Sequence, residues 1–232
     1  MGKTTCDAVE AAADLTLSAR IGSGDDLAAG LEGADVAVVM TRPEGVDDIV
    51  VACVERGVHA VVGTTGWTEA GLAKVRAALE KAPDIGVLLA PNFALGAVLL
   101  MRFAAEAAKH FESVEVVELH HPNKADAPSG TARHTAAQIA AARREAGVGP
   151  SPDATTAALD GARGADVEGV RVHSVRLRGL VAHEEVLLGG PGEQLTIRHD
   201  SFDRISFMPG VLLAVRQIAD RPGLVQGLEN YL

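Results

Sequence analysis

Apolar positions along the chain switch repeatedly between a period of about two and a period of 3.6, which predicts strands and helices in alternation. After Met1-Gly2-Lys3-Thr4-Thr5, the residues Cys6, Val9, Ala12 and Ala13 fall on one helical face, and Leu15–Ala19 follows as a predicted strand. Val36–Met40 is the next strand; a helix from Pro43 carries Val46, Ile49, Val50 and Cys53 on its apolar face, and Val58–Val62 is again a strand. Thr68 is placed to cap a helix running to about Lys81, ahead of the strand Ile85–Ala90. Leu95–Phe111 reads as an apolar helix with Val98, Met101, Phe103 and Ala107 as core. It leads into the alternating run Val114–Leu119 and then, past a polar loop, into the Ala-rich helix Thr131–Ala146.

The pattern lapses into Pro, Asp, Gly and Ala between Gly147 and Gly169, a predicted loop. Strands return at Val170–Leu177, Glu184–Leu188 and Gln194–Arg198, the last two separated by the turn Gly189-Gly190-Pro191-Gly192. A final helix, Pro209–Asp220, ends at Pro222-Gly223. Strand-helix alternation in the first part and near the C-terminus predicts a parallel α/β sheet over 1–94 and 205–232. The clustered strands in 95–204 predict a second, α+β domain with a mostly antiparallel sheet. A sheet of that kind with one face free stacks readily on copies of itself, so this part is the expected oligomerisation domain.

Composition narrows the function classes. The 232 residues carry a formal charge of −10 and no basic run, which disfavours nucleic acid and anionic membranes as partners. An anionic substrate therefore needs a local basic pocket. Cys6 and Cys53 form no C-x-x-C pair, so neither a metal site nor a disulfide framework is expected, and a reducing cytoplasm is the default location. No apolar segment approaches the ~20 residues of a membrane span, and the N-terminus does not have the pattern of a signal peptide.

One stretch has a basic pocket in prospect: Glu118-Leu119-His120-His121-Pro122-Asn123-Lys124-Ala125-Asp126-Ala127-Pro128-Ser129-Gly130-Thr131. It leaves a strand with two imidazoles, an ammonium and a carboxylate inside seven residues. Histidine exchanges protons near neutral pH, and a lysine supplies fixed charge or, partly desolvated, a proton. Ser129 is placed as N-cap, which would leave the Gly130 and Thr131 N–H groups at the positive end of a helix, where a carboxylate binds readily. Asp126 reads as a loop-fixing hydrogen-bond acceptor rather than a catalyst.

That run resembles the signature of the 4-hydroxy-tetrahydrodipicolinate reductase (dihydrodipicolinate reductase) family, closest in character to its actinobacterial branch. The similarity continues through Gly63-Thr64-Thr65-Gly66, Ala90-Pro91-Asn92-Phe93 and Phe207-Met208-Pro209-Gly210. The resemblance implies a Rossmann-like domain and hydride transfer from NADH or NADPH to a cyclic dicarboxylate, on the route to diaminopimelate and lysine, by a homotetramer. It implies His120 as acid/base and Lys124 as proton donor, with His121, Lys124, Gly130 and Thr131 around the substrate. Gly2, Gly63, Thr64, Thr65, Ala90, Pro91, Asn92, Phe93 and Arg204 are the implied cofactor contacts.

The beginning of the chain departs from that pattern. A dinucleotide fold opens with an apolar strand and a glycine-rich loop. Here the resemblance puts Met1-Gly2 on the last two residues of that loop, so the expectation is a domain truncated at its first strand, begun at an internal methionine. Gly2-Lys3-Thr4 also matches the tail of a phosphate-binding P-loop, but a strand-end Asp for Mg²⁺ is missing where Val36–Met40 runs into Thr41-Arg42-Pro43. Arg20, just past the predicted strand Leu15–Ala19, stands where a basic residue would meet the 2′-phosphate of NADP; a solvated arginine is the other reading, and cofactor preference stays open. Val39-Met40 replaces the family's Asp-Phe. The rival reading from another class is a nucleotide-independent binding protein or a lyase/tautomerase acting on a related dicarboxylate.

Overall fold

The computed structural model describes all of residues 1–232, which divide into two compact units, 1–95 with 204–232, and 96–203. In the first unit the elements run α1 (Gly2–Ala11), α2 (Leu27–Leu31), β1 (Val36–Val39), α3 (Val46–Glu55), β2 (His59–Val62), α4 (Glu69–Leu79) and β3 (Gly86–Leu89). In the second they are α5 (Leu95–Ala107), β4 (Ser113–His120), α6 (Gly130–Glu145), β5 (Ala165–Val167), β6 (Val170–Arg176), β7 (Ala182–Gly190) and β8 (Glu193–Ser201). The chain then returns to the first unit through a 3₁₀ turn at Arg204–Phe207, α7 (Met208–Gln217) and β9 (Gly223–Gln226).

The first unit is built on a four-stranded sheet in the order β1-β2-β3-β9, every pair parallel. Strands of such a sheet are apolar on both faces because helices cover both. Ala60, Val62, Val87 and Leu89 point into a core with Val50, Cys53 and Val54 of α3 and Leu72, Val75 and Leu79 of α4. Val61 and Leu88 point the other way and are equally buried, on the side where α7 meets β2. Each such Val or Leu contributes about 1.5–3 kcal/mol of burial. Thr68 caps α4 as its sequence position predicts, its hydroxyl accepting from the Gly71 N–H at 3.1 Å.

Two expectations fail in this unit. Leu15–Ala19 alternates in burial like a strand but forms no ladder. A strand exists through hydrogen bonds to a neighbour, and no strand lies beside this segment. Instead β1 is the edge. Conversely, the segment past the predicted last helix, where the pattern predicts no strand, forms β9 and pairs with β3 over its whole length, Gly86 opposite Gly223 through Leu89 opposite Gln226.

The second unit has a five-stranded mixed sheet, β5-β6-β4-β7-β8, in which only β6 and β4 run parallel. Val114, Val116, Val170, Val172, Val186 and Leu188 are buried, as are Ala136, Ile139 and Ala140 of α6, the helix that packs on β4 and β6. Buried Arg143, near the end of α6, donates to the carbonyls of Phe111 (2.7 Å), Glu112 (2.9 Å) and Gly149 (2.8 Å), satisfying acceptors in the segments that follow α5 and α6. The predicted loop at 147–169 contains the short strand β5, recruited by the edge of β6. Phe103 is not core: it is 54% exposed in this chain, because the buried stripe of α5 is Ala97, Val98, Leu100, Met101 and Ala104. No helix is long and apolar enough to cross a membrane.

Gly210, in the first turn of α7, shows how closely that helix approaches the end of β3. A Cβ there would lie 2.1 Å from the Phe93 carbonyl oxygen and 2.8 Å from Leu228 Cδ2. Overpacking against backbone has nowhere to relax, so Gly210→Ala is expected to cost about 1–3 kcal/mol or more in chemical unfolding; an unchanged midpoint would contradict this packing.

Candidate active site

His120 is the last residue of β4, and the alternation of the strand places it on the same side as Glu118. Glu118 is a charged residue at a position that Val114 and Val116 mark as core, and it is completely buried. The sheet explains why this is tolerated. The parallel register of β4 and β6 puts His120 opposite Arg176, whose guanidinium grips Glu118 at two points, Nη1 to Oε2 at 2.8 Å and Nη2 to Oε1 at 2.7 Å. The Ser129 N–H adds a third bond to Oε1 at 3.1 Å, and His120 Nδ1 contacts Oε2. Burial pushes the Glu118 carboxyl up, but Arg176, with Ser174 and His120, more than reverses this and holds it below the usual carboxylate range. The His120 imidazole is held below its ordinary value, mainly by burial and also by Lys124 and Arg176, against the opposing pull of Glu118.

The same guanidinium reaches the following loop. Arg176 Nη2 donates to the Asp126 carbonyl at 2.6 Å, and the Asp126 carboxylate accepts from Lys124 Nζ at 2.7 Å and from the Gly130 N–H at 3.3 Å. Asp126 is thus the loop-fixing acceptor that its turn position suggests. Its carboxyl is raised by burial and lowered, by a larger sum, by Lys124 and nearby N–H groups. Ser129 caps α6, its hydroxyl accepting from the Ala132 N–H at 3.1 Å, and Thr131 stands half-buried in the first helical turn. His121 is exposed on the loop, where its carbonyl accepts from the Lys124 N–H at 3.2 Å. Of the residues anticipated around a substrate, His120, Lys124, Gly130 and Thr131 are gathered between one strand end and one helix start; His121 lies on the same loop, facing solvent.

Sequence reasoning missed Glu118 as an individual actor, and Arg176 and Glu184 altogether. Only Glu118 left a trace, as a charge where the strand pattern calls for an apolar side chain. Glu184 faces Glu118 directly across β4 and β7, is 5% exposed, and contacts the Thr135 hydroxyl of α6 at 2.5 Å. That hydroxyl is also 3.1 Å from the Thr131 carbonyl. The Thr135 hydroxyl therefore has one proton to share between the Glu184 carboxyl and the Thr131 carbonyl. Burial pushes the Glu184 carboxyl up to about 7, with Glu118 adding to the rise and Thr135 and His134 opposing it.

In the first unit, three turns leave the carboxyl ends of adjacent parallel strands, the position where open α/β sheets bind ligands. Gly63 lies where they converge: a Cβ on it would meet Met40 Sδ at 2.4 Å and Phe93 Cε2 at 3.1 Å. The Thr64 hydroxyl donates to the Thr41 carbonyl at 3.0 Å and accepts from its N–H at 3.2 Å, locking the turn after β2 to the one after β1. The Asn92 side chain accepts from the Ala94 N–H at 2.8 Å and shapes the turn after β3. Ala90 and Phe93 are buried, whereas Thr65 and Pro91 are exposed. Together the turns make a backbone-lined rim with one glycine at its centre. Gly2 opens α1, exposed and with open space around it; Arg20 is paired with Glu10 at 2.6 Å, and Arg204 is exposed at the start of its 3₁₀ turn.

Because the Glu184 carboxyl titrates higher in the folded chain than unfolded, its contribution to stability is fully present below the unfolded value near 4.5 and lost as pH rises through about 7. Glu184→Gln, an isostere of the neutral acid, should therefore be more stable to chemical unfolding than the parent chain at pH 8, by on the order of 1–3 kcal/mol, and differ little from it at pH 5. A variant equally destabilised at both pH values would show that the buried acid is ionised.

Comparison with known proteins agrees with this arrangement. Family models match both parts of the chain: dihydrodipicolinate reductase, N-terminus, over residues 1–93, and dihydrodipicolinate reductase, C-terminus, over residues 96–232. A 4-hydroxy-tetrahydrodipicolinate reductase of Nocardia farcinica is 63% identical across all of this chain and 94% of its own length. One from Streptomyces griseus subsp. griseus is 60% identical across all of this chain and 93% of its own. Among solved structures, a dipicolinate-bound dihydrodipicolinate reductase from Paenisporosarcina sp. TG-14 superposes with a TM-score of 0.84 at 38% identity, covering 100% of this chain and 95% of that one. With both parts matched and identity near 60% from end to end, the chain belongs to the dihydrodipicolinate reductase family.

Proposed function

We propose that the chain reduces 4-hydroxy-tetrahydrodipicolinate to tetrahydrodipicolinate with NADH or NADPH, releasing water, in the synthesis of diaminopimelate and lysine. The observation that carries this reading is the loop from His120 to Thr131, which brings an imidazole, an ammonium and helix N–H groups together in a member of this family. The nucleotide, when bound, supplies the hydride; Gly2, Arg20, Gly63, Thr64, Thr65, Ala90, Pro91, Asn92, Phe93 and Arg204 are the residues proposed to hold it.

His120 acts as acid/base, and Lys124 donates a proton as negative charge develops on the substrate's conjugated system. One substrate carboxylate takes the N–H groups of Gly130 and Thr131, with His121 and Lys124 adding positive charge. Asp126 engages Lys124 and the Gly130 N–H in the ligand-free chain, so an incoming carboxylate competes with an internal one for these two donors. The working form is a homotetramer in the cytoplasm, assembled through the sheet of the second unit.

Loss of the near-ultraviolet absorbance of NADH and NADPH, each with and without substrate, tests the reaction and settles which nucleotide serves. Lys124→Ala is expected to lower kcat by about 10²-fold or more while the affinity for nucleotide stays within about threefold. Equal losses in both would contradict the role given to Lys124, and no substrate-dependent oxidation of either nucleotide would sink the proposal.

A further inference from the structure

Glu118 is bonded more heavily than a structural carboxylate needs to be. An ionised carboxylate offers about four lone-pair sites and no donor; here Oε1 takes Arg176 Nη2 and the Ser129 N–H, Oε2 takes Arg176 Nη1 and His120 Nδ1, and the Ser174 side chain bonds the same carboxylate. Three of these are donors in every protonation state, so the remaining position next to His120 can only accept. The ring must then present a proton at Nδ1. For a neutral imidazole that choice leaves Nε2 bare.

We infer that Glu118, clamped by Arg176, is a positioning residue: it fixes His120 as the Nδ1–H tautomer and so makes Nε2 the atom that exchanges a proton. The carboxylate does not touch substrate and acts through the ring. The tautomer stands on geometry alone, whereas its use in turnover rests on the reductase reading proposed above. Arg176 extends the effect, because the Nη2 that holds Glu118 Oε1 also holds the Asp126 carbonyl; the ring's orientation and the loop bearing Lys124 are set by one guanidinium. The charged groups that face this pair are Glu118, Lys124 and Arg176 around the ring, and Arg176 and Glu184 around the carboxylate, with His134 of α6 facing Glu184.

The test is ¹⁵N-histidine NMR of the ligand-free full chain at about pH 8, with His120 assigned by comparison with His120→Gln. A protonated Nδ1 and an unprotonated Nε2 are expected in the parent chain, and loss of that single tautomer in Glu118→Gln, whose amide has one acceptor where two are needed. The same variant should lose about 10²-fold or more in kcat with KM within about threefold, and the limb of its pH profile set by His120 should move to lower pH as the favourable charge is removed. A merely structural Glu118 would lower the thermal midpoint and leave tautomer and limb in place, and that result overturns the inference. An Nε2–H tautomer in the parent chain overturns it outright, and keeps the test decisive if Glu118→Gln does not fold. Full activity in His120→Gln would instead remove the acid/base role while leaving the tautomer result to stand or fall by itself.

Discussion

Taking a carboxylate wholly out of water costs several kcal/mol unless its lone pairs are satisfied. In the second unit that cost is offset by a guanidinium on the neighbouring parallel strand and the N–H of a helix N-cap, both aimed at Glu118. Everything local to the candidate site follows from that arrangement. Arg176 reaches Glu118 because β6 runs parallel to β4 in a register that sets position 176 beside 120. Ser129 reaches it because the loop after β4 folds back before α6 starts, and the loop folds back because Asp126 ties Lys124 to the Gly130 N–H. Removing one partner from such a pair is far more damaging than never having built it, since the other charge is then left buried.

The neighbouring Glu184 illustrates the complementary solution. Two carboxyls face each other across β4 and β7 beneath α6, and a second guanidinium does not serve the second one. Burial pushes its carboxyl up to about 7, and it meets the Thr135 hydroxyl, which also reaches the first turn of the helix. One acid is held below the usual carboxylate range by pairing and the other is raised by burial, so the two titrate far apart. This division matters for chemistry that moves a proton, because a second charge at Glu184 would change the field at the ring without any change in shape.

The parallel sheet of the first unit solves a different problem. The turns at its strand ends have to approach one another closely, and the convergence at Gly63 with the Thr64 to Thr41 double bond gives a rigid rim whose side chains are turned to internal use. Thr64 is therefore a brace for the turn as well as a member of the motif. The Thr41 backbone takes part in that brace, with Met40 filling space beside Gly63.

By itself the sequence determined the order and kind of nearly every element, because amphipathic periods, the caps at Thr68 and Ser129 and the turn before Gly192 are local signals written in neighbouring residues. It also singled out His120, Lys124 and Asp126, since a cluster of titratable groups at a strand end is visible without coordinates. Pairing was not legible. Leu15–Ala19 reads as a strand and has no partner, while Gly223–Gln226 carries no predicted element and becomes a strand because β3 offers it a free edge. The partnership of Glu118 with Arg176 spans 58 residues and exists only through the register of two strands. Only the tertiary structure could decide it, because hydrogen bonds across a sheet depend on which segments lie side by side, a property that no stretch of chain carries alone.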